Sequence, residues 1–145
     1  MLKNTLILGL IGLLPVFTVQ AESYEALNQK CIALQKEIIA GDLEAVLTYY
    51  PPVAKEDEKQ FAFFKKYMGK RMKSRGRYRT EEISSVEILS SEEVAIIESD
   101  RELPFDIVKK VLVLPKIEFE DGPIFKPACH FVQEKASGNW YMTNI

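Results

Sequence analysis

Apolar residues Tyr24, Leu27, Cys31, Leu34 and Ile38 recur at intervals of three and four, with Gln29, Lys30, Lys36 and Glu37 off that stripe, which predicts an α-helix with one buried face. Gly41 is placed to end this helix, and Asp42 to cap a second, short one carrying Leu43, Val46, Leu47 and Tyr50. Pro51-Pro52 stops it. Phe61, Phe64, Met68 and Met72 repeat the helical spacing over roughly 55–74, where Gly69 weakens the propensity. From Gly76 onward the pattern changes to β-branched runs punctuated by turn residues. Strands are predicted over Glu82–Leu89 and Val94–Glu98 around a Ser90-Ser91-Glu92 turn, then over Ile107–Leu114. Pro115 marks an edge, bulge or strand end before Lys116–Phe119, and Glu120-Asp121-Gly122-Pro123 reads as a turn. Ile124–Glu134 and Trp140–Ile145 then flank a hairpin loop, Lys135–Asn139. Helices followed by an antiparallel meander predict an α+β domain.

The N-terminus follows a different rule. Lys3 precedes an apolar run, Leu6–Phe17, broken only by Gly9, Gly12 and Pro15, and Val19-Gln20-Ala21 has the small-residue form of a signal-peptidase site. The run is shorter than the ~20 apolar residues that span a bilayer, so cleavage after Ala21 is expected rather than membrane anchoring. The residue after the cleavage site is Glu22 rather than a cysteine, which argues against lipid attachment. Residues 22–145 are then one exported domain, periplasmic or secreted, long enough for a single core and too short for two.

Export gives the two cysteines a meaning. Cys31 and Cys129 form an even pair without a CxxC or a third thiol, which favours a structural disulfide over metal or redox-shuttle chemistry, two buried free thiols being the alternative.

Of 145 residues, 47% are apolar and 28% charged, a globular balance, and the net charge of −2 conceals an uneven distribution. Lys65, Lys66, Lys70, Arg71, Lys73, Arg75, Arg77 and Arg79 crowd into fifteen positions without an acidic residue. The remaining 11 basic residues face all 21 acidic ones, so the molecule is a charge dipole. Lys66, Lys70, Arg71, Lys73 and Arg75, with Tyr67 interleaved, are the residues expected to bind an anion, an acidic protein surface or lipid head groups. The plainer alternative has the lysines solvating the helix while Arg77 and Arg79, on the first strand, pair with Glu93 or Glu98. Nucleic acid is excluded as a partner by export and by the acidic total.

Chemistry is harder to find. H-E-x-x-H, G-x-S-x-G and a phosphate-binding glycine loop are all absent, and neither a metal nor a cofactor is expected. Asp100, Glu102, Asp106, Glu118, Glu120 and Asp121 offer acids or bases only if the fold brings two together. His130, the sole histidine, is a weak catalytic candidate. Strand neighbours face opposite ways, so a Cys129 that reaches Cys31 puts His130 on the outer face of the sheet. Phe61, Phe63, Phe64, Tyr67 and Trp140 could line an apolar pocket or belong to the core, with Phe63 alone breaking the stripe.

The first-helix stripe leading into Ala40-Gly41-Asp42-Leu43-Glu44-Ala45-Val46-Leu47, the aromatic third helix and a last hairpin ending Gly138-Asn139-Trp140-Tyr141-Met142 resemble the nuclear-transport-factor-2-like superfamily. The resemblance covers nearly all of 22–145 and implies a cone, with helices packed on the concave face of a curved antiparallel sheet. It also implies a cavity used by some members for catalysis and by others for binding, so activity must be argued from the site. A non-enzymatic module holding a protein, in the manner of an immunity or inhibitor protein, or a small ligand is the favoured expectation. A small lyase or isomerase working inside the cone is the alternative, and a homodimer is left open.

Overall fold

The computed structural model describes residues 23–75 and 78–143. Residues 1–21, on which the signal-peptide expectation falls, lie outside the described residues, as does Arg77. Helix α1 spans Glu25–Ala40 and stops where Gly41 adopts φ 76°, a left-handed conformation that costs glycine little. The Asp42 side chain accepts from the Ala45 amide at 3.0 Å, capping α2 (Leu43–Leu47). A 3₁₀ turn, Pro52–Lys55, then intervenes, so the third helix, α3, begins only at Glu58 and runs to Arg75. Asp57 explains that start, its carboxylate accepting from the Lys59 and Gln60 amides at 3.0 and 3.1 Å.

The β half has fewer, longer strands than the turn signals suggest. Strand β1 runs unbroken over Ile83–Val94 and pairs antiparallel with β2, Ile107–Phe119. Ser90-Ser91-Glu92 is therefore not a turn, and no strand covers Val94–Glu98. The long partner strand supplies hydrogen bonds right through the serines, and the register slips between Ile88 and Ser90 instead. Pro115, opposite Ile88 at that slip, stays inside β2, because a bulge is where a residue without an amide proton is tolerated. The predicted strand Ile124–Glu134 divides at Lys126-Pro127 into β3 (Ile124–Phe125), paired with β2, and β4 (Cys129–Glu134). Strand β5, Trp140–Met142, pairs with β4 across the predicted loop, where Gly138 has φ 73°.

The sheet order is β1-β2-β4-β5 with β3 appended to β2. Register shifts in β1–β2 and near Val108 in β2–β4 mark the irregular points at which such a sheet curls. Its inner face carries Val111, Val113, Cys129, Phe131 and Met142 against Leu27, Cys31, Leu34 and Ile38 of α1, with Val46, Met68 and Met72 completing the core. Burying each large side chain here contributes roughly 1.5–3 kcal/mol. Cys31 and Cys129 are joined, tying α1 to β4 through the middle of that core. No described helix is long and apolar enough to cross a membrane.

Candidate functional site

Where the C-terminal half of α1 diverges from β2 and β3, packing leaves a cavity of about 250 Å³. Ile38, Ile39, Ile117, Phe125 and Pro127 form its walls, Gln35 enters from the helix, and Lys126 stands at its edge. Phe125 is held by an aromatic cluster, its ring centroid 5.6 Å from Tyr78 and 5.3 Å from Phe119, while Tyr78 and Phe119 lie 4.8 Å apart. Gln35 is buried at 4% exposure, and its amide donates to the disulfide sulfur of Cys129 at 3.4 Å. Both polar groups escaped the sequence reading. Gln35 had left a signal, since it sits one turn after Cys31 on the apolar stripe of α1, where a solvent-facing amide has no place. Lys126 left none.

The expected acids and bases lie elsewhere, and none of them lines this cavity. Across the sheet, Leu112 pairs with His130 and Lys110 with Val132, and this outer face is covered by the 3₁₀ segment Glu98–Glu102 of the β1–β2 connection. Asp100, buried at 5% exposure, meets Lys110 there through bonds of 2.7 and 2.9 Å and also accepts from the Ile97 amide at 2.9 Å. Burial alone would raise the Asp100 pKa, but the Lys110 and Ile97 hydrogen bonds and the Lys110 charge hold it below the usual carboxylate range. His130 shares a pocket with this pair, with Ser99, Leu103 and Thr143 around it. Burial, reinforced by the Lys110 charge and partly opposed by Asp100, lowers the His130 pKa, and its Nδ1 has no hydrogen-bond partner among the described residues.

Glu118 is paired with Lys116 at 2.6 Å and with the Ser85 hydroxyl at 3.0 Å on the sheet surface. Glu120 and Asp121 occupy the exposed turn, and Glu102 and Asp106 line separate shallow grooves beside Arg101. Glu37, on α1, accepts from Tyr49; burial first, and then this carboxylate, push that phenol up to about 12.

The basic block divides by helical face. Lys65 turns to Glu44 at 2.8 Å and over the Phe61 ring, and Arg71 donates to the Tyr67 hydroxyl at 3.0 Å. Lys66, Lys70, Lys73 and Tyr67 are exposed. The side chains of Ser74 and Arg75 lie outside the described residues. Arg79 is not on a strand: residues 80–82 close a 3₁₀ turn on its carbonyl, and its own amide donates to Glu82 at 2.7 Å. Of the five aromatics considered for a pocket, Phe64 and Trp140 pack on the core, Phe63 is 73% exposed, and none lines the cavity.

Curved sheet, helices on its concave side and a cavity between them define the nuclear-transport-factor-2-like (NTF2-like) fold. The chain superposes on a crystal structure from Campylobacter jejuni, designated a candidate NTF2-like transpeptidase, with a TM-score of 0.57 over 81% of this chain and 99% of that one. The two are 10% identical, which establishes the shared fold alone. No family model matches the chain, and no curated protein matches it.

Proposed function

We propose that the protein is an exported, non-enzymatic binding module: residues 1–21 are removed as a signal peptide, and the single domain 22–145 holds a small, mostly apolar ligand in its cone. The observation that carries this reading is the lining of the cavity, which among the described residues has apolar walls, one buried amide at Gln35, one cation at Lys126 and neither a carboxylate nor a histidine. Such a site fits an apolar body against Ile38, Ile39, Ile117 and Phe125 with an anionic end at Lys126. A lyase or isomerase would need an acid or base in that lining. The Cys31–Cys129 bridge supports an oxidising compartment. The transpeptidase designation belongs to the Campylobacter protein and is not carried over. This chain has no Ser-x-x-Lys, and both of its thiols are consumed by the disulfide.

The test is a fluorescence titration with anilinonaphthalene sulfonate, an apolar probe with one anionic group. The expected result is saturable binding that Ile39→Trp, which fills the space, abolishes and Lys126→Glu weakens, both variants keeping a cooperative melt. Binding unchanged by Ile39→Trp would overturn the reading.

A further inference from the structure

We propose that the outward face of α3 is a docking surface for an anionic lipid bilayer. The helix meets the rest of the fold through Phe64, Met68 and Met72. At 3.6 residues per turn the opposite side carries Lys59, Phe63, Lys66, Lys70 and Lys73, all exposed, along roughly 21 Å of helix. Between Lys59 and Arg75 there is no acidic residue.

Charge alone would suit any polyanion, and the aromatic residues decide between the choices. Phe63 is 73% exposed in the middle of the lysine row, and Tyr67, 48% exposed, stands at its flank, held by the Arg71 guanidinium 5.6 Å from its ring. An acidic protein surface would have to supply a pocket for Phe63. A bilayer interface accepts the ring among its acyl chains while the lysine stems reach up to the phosphates, the arrangement of an interfacial helix. Glu81, Glu82, Glu87, Glu92, Glu93 and Glu98, exposed on and beside β1, would be repelled by the same surface. The α3 face is separate from the cone cavity, and the inference does not depend on what that cavity holds.

Flotation with vesicles tests it, using the species that accumulates when the full sequence is expressed, its N-terminus established by intact mass. Binding is expected to phosphatidylglycerol-containing vesicles at low salt, weakened by added salt and weak on pure phosphatidylcholine. Lys66→Glu/Lys70→Glu/Lys73→Glu is expected to reduce affinity about a hundredfold or more, and Phe63→Ala about tenfold. Because all four positions are exposed, the variants should melt as the parent does, and circular dichroism checks this. The proposal is overturned if the parent does not float with anionic vesicles, or if the triple variant floats equally well. It is also overturned, in favour of an acidic protein partner, if polyglutamate binds through the same lysines while Phe63→Ala leaves vesicle binding unchanged.

Discussion

Replacing Lys110 with methionine keeps most of its packing volume and removes its charge, leaving the Asp100 carboxylate without its main partner. The side chains of Asp100 and Lys110 are 6% and 8% exposed and share two short bonds, so water cannot take over the missing role without opening the 3₁₀ segment that covers them. Removing one member of such a pair costs about 3–5 kcal/mol. For a domain of this length that corresponds to a fall in Tm of roughly 10–20 °C. Lys110→Met should cost less as the pH falls, because the stranded Asp100 can then protonate. Asp100→Leu strands the ammonium instead and should cost a similar amount. The double variant Asp100→Leu/Lys110→Met buries no unpaired charge and should recover most of that loss, since an apolar pair of similar volume often replaces a buried ion pair without loss, and stay below the parent only by the ~1 kcal/mol that the Ile97 amide loses with its acceptor. Urea denaturation of the four proteins, disulfide intact and followed by circular dichroism, gives the cycle directly. Single variants within ~1 kcal/mol of the parent would show that the pair is solvated in solution. Additive losses in the double variant would show that the two residues do not act as a unit.

Other outcomes follow from the same structure. Reducing Cys31–Cys129, or replacing both with alanine, opens a loop spanning 98 residues and should cost up to about 4.7 kcal/mol by the chain-entropy relation, read as a lower urea midpoint; a loss under ~1 kcal/mol would refute it. His130 has a folded pKa below its unfolded value of about 6.5, so its contribution is complete above that pH and is lost as the pH falls through the depressed folded value. His130→Gln should therefore flatten the decline in Tm as the pH falls below about 6.5, and an unchanged slope would place the titration elsewhere. At Gly41 an added Cβ meets nothing within 4 Å, so Gly41→Ala should cost about 1 kcal/mol from the positive φ alone, and an unaltered urea midpoint would contradict that.

The helical half was legible because its signals are local: Gly41 and Asp42 act within one turn of their own positions, and the α1 stripe needs only a period. The sheet was legible in outline only. Ser90-Ser91-Glu92 carries turn chemistry, yet the continuous hydrogen-bonding edge of β2 keeps those residues in a strand. The disulfide was readable from the cysteine count and the expected compartment, without the path that brings the two together. Asp100 could be named as a carboxylate but not matched with Lys110, because their meeting depends on a connection folding back over the outer face of the sheet. The cavity was least legible of all, since Lys126 becomes part of it only through the break between β3 and β4.

The cone's role as a ligand site is tested most directly by the native mass of the protein purified from the compartment where it accumulates, beside that of Ile39→Trp. The parent should carry a small apolar molecule of defined mass, released on denaturation and missing from the variant. An identical bound mass in both proteins would place the ligand outside the cone, and a ligand-free parent that also ignores the anilinonaphthalene probe would contradict the cavity's role.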